Sequence, residues 1–134
     1  MSVQLTKQSI DLGIITTNGE AMLGFYRDTL GLRYLRELPM PVGAGVMHQM
    51  QCGETVIKLV VLPAVPASAA PGGIAGGAGY RYWTMTVSNL TEMVQACADK
   101  GYKVAIAERE IRPGVRIAMV EDPDGNWVEF LSIG

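Results

Sequence analysis

A chain of 134 residues, 49% hydrophobic and 18% charged, has the length of one domain and enough apolar side chains to bury a core, which excludes a disordered protein and a multidomain assembly. Eleven Lys and Arg against thirteen Asp and Glu give a net charge of −2 with neither sign gathered in a block, which argues against nucleic-acid binding. The longest apolar run, 56–67, is interrupted by Lys58, Pro63 and Pro66, and the polar first nine residues lack the apolar segment of a secretory signal, so the expectation is a cytoplasmic protein with no membrane partner.

In chain order, a strand is predicted over 10–16. A helix follows, with Thr17 as N-cap, Glu20 three residues later as its reciprocal partner, an apolar stripe of Ala21, Met22, Phe25, Tyr26 and Leu30, and Gly31 as the stop. Strands rich in β-branched and aromatic residues are then predicted near 32–36, 45–51 and 55–62. Residues 63–79, rich in Pro, Ala and Gly, read as a flexible connector or as a lid over a ligand. A phosphate loop is disfavoured, because no helix carrying Lys-Ser or Lys-Thr follows it.

The second half repeats the pattern. A strand is predicted over 82–87, then a helix with an Asn89 cap, apolar positions Leu90, Met93, Val94, Cys97 and Ala98, and a stop at Gly101. Strands are expected near 102–107, 115–121 and 127–132, the last two joined by the turn Asp122-Pro123-Asp124-Gly125-Asn126. Each half therefore reads β-α-β-β-β, with module one at 8–62 and module two at 80–133. The two cysteines, Cys52 and Cys97, form no metal-binding or disulfide pattern and read as core residues.

The segments Ile10-Asp11-Leu12-Gly13-Ile14, Phe25-Tyr26-Arg27-Asp28-Thr29-Leu30-Gly31-Leu32 and Asp122-Pro123-Asp124-Gly125-Asn126-Trp127-Val128-Glu129-Phe130 resemble the vicinal oxygen chelate superfamily, which includes glyoxalase I, extradiol dioxygenases and bleomycin resistance proteins. The resemblance covers nearly the whole chain. It implies an α+β fold in which two βαβββ modules form a cup-shaped mixed sheet with helices outside, often completed as a homodimer, with a small-molecule ligand in the cup. In metal-dependent members four inward positions hold a divalent ion, and here they fall on Asp11, Lys58, Tyr82 and Glu129. The repeat supports that placement, since 82 − 11 and 129 − 58 both give 71.

Lys58 departs from the family pattern, because an ammonium group has donors and no acceptor and repels a cation. Alternation puts Val56, Lys58 and Val60 on one strand face, and the expectation is that Lys58 points into the cup between the Asp11 and Glu129 carboxylates, its charge replacing the ion. No cofactor is then expected; if a divalent metal binds, its ligands are Glu129 and Asp11.

The candidate catalytic residues are Lys58, Asp11, Glu129, Tyr82 and His48, the only histidine and a natural proton shuttle. Candidate substrate-binding residues are Arg112 and Arg116, suited to an oxyanion, with Tyr80 and Met50. Two classes of function follow. One is a metal-independent lyase or isomerase acting on a small carbonyl or aromatic compound, in which Asp11 or His48 takes a proton while Lys58 and Tyr82 stabilise an enolate-like oxygen. The other is non-catalytic sequestration of a drug or metabolite. A metal-dependent glyoxalase-like or dioxygenase-like enzyme is a third alternative, weakened by the missing histidines.

Overall fold

The computed structural model describes residues 2, 4–41, 43–64 and 67–134. The chain divides into two compact units, 1–66 and 67–134. Each contains a four-stranded mixed sheet and a helix, in the order β-α-β-β-β.

In the first unit, β1 (Leu12–Thr16) leads into a helix that is α-helical over Gly19–Leu23 (α1) and continues as a π-helix through Gly24–Thr29. The helix is expected to start on a Thr17 capping box. Instead Asn18 occupies the cap position without a side-chain bond, and the hydroxyl of Thr16 accepts the Asn18 N–H at 2.8 Å. Gly31, at φ 75°, supplies the expected stop in a conformation that costs a side chain-bearing residue more. Strands β2 (Arg33–Pro39), β3 (Val46–Cys52) and β4 (Thr55–Val61) complete a sheet in the order β1-β4-β3-β2, where only the β1–β4 pair is parallel. A Cβ on Gly19 would lie 2.8 Å from a Val61 methyl, so the helix covers the face of Val61, Leu59 and Ile57. Met22, Phe25, Tyr26, Met50, Ile57 and Leu59 are fully buried and form this core.

The second unit begins with a single helical turn, α2 (Gly73–Gly76), followed by β5 (Tyr82–Thr86), α3 (Leu90–Asp99), β6 (Val104–Arg112), β7 (Val115–Glu121) and β8 (Trp127–Ile133). The sheet order β5-β8-β7-β6 repeats that of the first unit, again with one parallel pair, β5–β8. Asn89 caps α3 by position but without a side-chain bond. Strand β6 begins later and runs further than the expected 102–107, because register shifts along β6–β7 let a nine-residue strand follow its seven-residue partner. The Asp122 turn forms as expected: one buried carboxylate oxygen accepts the N–H groups of Asp124 and Asn126, both at 2.9 Å.

A connector is expected at 63–79. Residues 67–79 belong to the second unit, and positions 65 and 66 lie outside the described residues. No described helix is long and apolar enough to cross a membrane.

Candidate functional site

Strand register decides which side chains share a face. In the first unit Lys58 sits on β4 between Gly13 of β1 and Gln49 of β3, so these three lie in one row across the sheet, and Arg36 of β2 extends the row beyond Gln49. All four are on the face opposite the helix, as expected for Lys58. Lys58 is half-buried, and among the described residues no carboxylate or hydrogen-bond acceptor pairs with its ammonium. A Cβ on Gly13 would meet nothing within 4 Å, so open space lies beside the lysine.

Asp11 was expected to flank Lys58 from within β1. It precedes the strand instead, and its Oδ1 accepts the Val56 N–H at 2.8 Å and a Lys7 N–H at 2.6 Å. The Lys7 bond, then the Val56 bond, holds the carboxyl below its ordinary value, while Lys58 contributes the least of the causes. A strand-edge carboxylate beside an unpaired N–H and a nearer lysine has better partners than Lys58.

In the second unit the same geometry is closed. Glu129 of β8 is buried and stands beside Thr84 of β5, whose hydroxyl donates to Glu129 Oε1 at 2.6 Å. Thr84 and Glu129 are the repeat equivalents of Gly13 and Lys58, since 84 − 13 and 129 − 58 are both 71. Where module two holds its charged side chain with a neighbouring hydroxyl, module one has no side chain to offer. Tyr82, half-exposed, and Trp127 are strand partners on the Glu129 face.

That face also carries the glycine-rich segment. A Cβ on Gly73 would run into the indole ring of Trp127, so the α2 turn lies directly on the ring. Arg81 fixes the segment by donating to the carbonyls of Gly73 and Ala70, both at 2.7 Å, and of Pro71 at 3.3 Å. Glu121 Oε2 accepts the Trp127 indole N–H at 3.2 Å. Of the two readings of 63–79, the described part is a strap over the Glu129 face of its own unit. Neither Arg81 nor the Gly73–Trp127 contact was anticipated; the one available signal was a lone arginine next to a run of glycines.

Several expected site residues are not brought together. His48 and Met50 pair in register with Leu59 and Ile57 and therefore lie on the helix face, opposite Lys58. His48 is buried there, with Nδ1 2.8 Å from the Tyr34 hydroxyl and 3.7 Å from Glu37 Oε1. Arg116 alternates to the face of Ala118 and Val120, opposite Glu129, and its Nε donates to Glu108 at 2.9 Å; Glu108 also accepts from Thr91 of α3. Arg112 is exposed at the end of β6, and Tyr80 is fully exposed.

A family model described as Glyoxalase/Bleomycin resistance protein/Dioxygenase superfamily matches residues 9–130. The chain belongs to this superfamily. No curated protein matches the chain. Among solved structures, a glyoxalase family protein from Bacillus cereus is similar at a TM-score of 0.82 and 15% identity, covering 98% of this chain and 96% of that one. One from Enterococcus faecalis gives 0.75 and 21%, covering 94% and 98%. TnmS3, an antibiotic binding protein from Streptomyces sp. CB03234, gives 0.69 and 20%, covering 98% and 100%.

The superfamily's metal positions can be tested against these residues, and they do not fit a divalent ion. Lys58 presents only donors, the Asp11 Oδ1 already accepts two N–H bonds, and the described residues contain no group of three or more His, Cys, Asp or Glu able to hold a metal.

Proposed function

We propose that this superfamily member is a metal-independent enzyme of lyase or isomerase type that acts on a small carbonyl compound, with Lys58 stabilising negative charge on the substrate oxygen. The observation that carries the reading is the half-buried lysine, without an ion-pair or hydrogen-bond partner among the described residues, beside the open space over Gly13. A bound anion or a developing oxyanion would give this cation the partner that it lacks. Asp11 is the acid–base group of the same unit. A carboxylate held below its ordinary value is a weak base, so the chemistry fits a C–H made acidic by a carbonyl that Lys58 polarises.

The test is solvent exchange. Incubated in D2O with a panel of small ketones, aldehydes and 2-oxo acids, the protein should catalyse deuterium incorporation at the carbon next to the carbonyl, read by NMR, and Lys58→Met should lower the rate at least 100-fold. Equal rates for both proteins would defeat the assignment.

Sequestration is the second reading, favoured by the half-exposed Tyr82 on the Trp127 face and consistent with the fold likeness to an antibiotic binding protein. It predicts tight binding of aromatic compounds, no exchange, and little effect of Lys58→Met. We also propose a cytoplasmic location and a homodimer, the latter because each sheet ends in edge strands, β1 and β2 in the first and β5 and β6 in the second. Analytical ultracentrifugation should give twice the 14.4 kDa chain mass.

A further inference from the structure

The first unit contains a second feature on the Lys58 face. An open cleft of about 650 Å³ is lined by Lys7, Arg36, Gln51, Glu54 and Val56, among others. Of the row Gly13, Lys58, Gln49 and Arg36, Arg36 lines the cleft and the other three continue across the sheet beyond it; its outer end is the β3–β4 turn, where the Ser9 hydroxyl donates to the Glu54 carbonyl at 3.0 Å and holds the N-terminal segment as a wall.

The charges in the cleft are not spread evenly. Lys7 is committed to Asp11 at 2.6 Å. Arg36 has no hydrogen-bond or ion-pair partner among the described residues, although it reaches into the cleft. Glu54, the one carboxylate of the lining, lies on the turn, five residues along the chain from the Gln49 row, which is on the order of 13–16 Å at a strand's rise. An exposed arginine on an edge strand needs no explanation by itself. Arg36 is distinguished by sharing a row with a second unpaired cation, Lys58, two strands away, or about 10 Å between Cα atoms. Both side chains are long enough to lean toward one another over the Gln49 amide.

Two unpaired cations flanking a neutral amide donor, with open space at one end and a cleft at the other, fit a ligand with two separated negative centres. We infer that Arg36 forms a subsite for a fixed oxyanion on the substrate, carboxylate or phosphate, while Lys58 faces the carbonyl oxygen. The substrate class is then a short oxo-acid or the phosphate monoester of a small carbonyl compound. Guanidinium is suited to this task because its planar fork donates two parallel N–H bonds to either anion. This inference rests on the Lys58 reading and adds a specificity-determining residue to it.

The experiment is an NMR titration of amide signals in the full chain with glutarate, butyrate and inorganic phosphate. Glutarate should shift the signals of Gly13, Lys58, Gln49 and Arg36 together and bind at least tenfold more tightly than butyrate. Arg36→Gln should remove that tenfold advantage and leave butyrate binding unchanged, whereas Lys58→Met should weaken both. Phosphate that shifts Arg36 without Gly13 and assists binding of butyrate identifies a phosphate ester as the ligand; phosphate that competes with glutarate without this assistance identifies the oxo-acid. Unaltered glutarate affinity in Arg36→Gln would overturn the subsite and leave the Lys58 reading standing. Loss of the glutarate advantage in Arg36→Gln with no effect of Lys58→Met would uphold the anion subsite's arginine but overturn its coupling to Lys58.

Discussion

Gly13 owes its importance to what stands beside it. Its Cβ position is open and its backbone is ordinary strand, so Gly13→Val should fold normally and gain strand propensity. Its two methyl groups would occupy the space beside the ammonium. Thermal unfolding should therefore be unchanged or slightly higher, while ligand binding and exchange are lost; retained binding would remove Gly13 from the site. Asp11 gives a prediction in pH. Its folded value lies below its unfolded value of about 3.9, so the stabilisation of the N-terminal tie is present above that pH and is lost as pH falls through the folded value. The Val56 amide shift should report this transition below pH 4, and Lys7→Ala should move it upward. Cys97 is a different case: burial pushes its thiol up to about 11, so alkylation at pH 8 should be negligible in the folded protein and rapid in urea.

At the level of elements, the strap is the most exacting structure. Gly73 combines a positive φ of 56° with direct contact on the Trp127 ring, so Gly73→Ala forces the turn off the ring. The cost should be about 1–3 kcal/mol, by analogy with overpacking, and Trp127 fluorescence should shift to the red as the indole meets water. Arg81→Ala should release the strap with a smaller change in stability and make 70–77 sensitive to protease. Thr84→Val should cost about 1–3 kcal/mol by stranding the buried Glu129 carboxylate without its hydroxyl partner. The strands and helices that form these sites were legible because alternation and the glycine stops are local signals. The first helix was harder: Thr17 and Glu20 satisfy a capping pattern in sequence, yet the Thr16 hydroxyl takes the Asn18 N–H instead. Side-chain direction was legible for Lys58 and Tyr82, which follow from alternation within their strands. It failed where partners lie far along the chain. His48 and Arg116 were assigned to the site without knowledge of the β3–β4 and β7–β8 registers, which send both to the helix faces.

On the scale of the whole chain, the duplication was readable from the repeated β-α-β-β-β pattern, and the fold family from the segments 10–14, 25–32 and 122–130 that resemble it. The 71-residue offset, applied one step further to positions 13 and 84, pairs an open position with a closed one; that comparison needed the observed registers. A donor-only lysine at a family metal position also makes a prediction for the intact protein. Elemental analysis after purification without chelator should find far less than one divalent ion per chain, and added EDTA should not change ligand affinity; a full equivalent lost together with affinity would defeat the charge-replacement reading.

The unequal treatment of the Gly13–Lys58 and Thr84–Glu129 pairs has an engineering consequence. Rewriting the first pair in the image of the second, with Gly13→Thr and Lys58→Glu together, would give both halves a self-contained carboxylate. The product should be a sturdy but inert twin, useful as a blank against which any activity of the natural protein is measured.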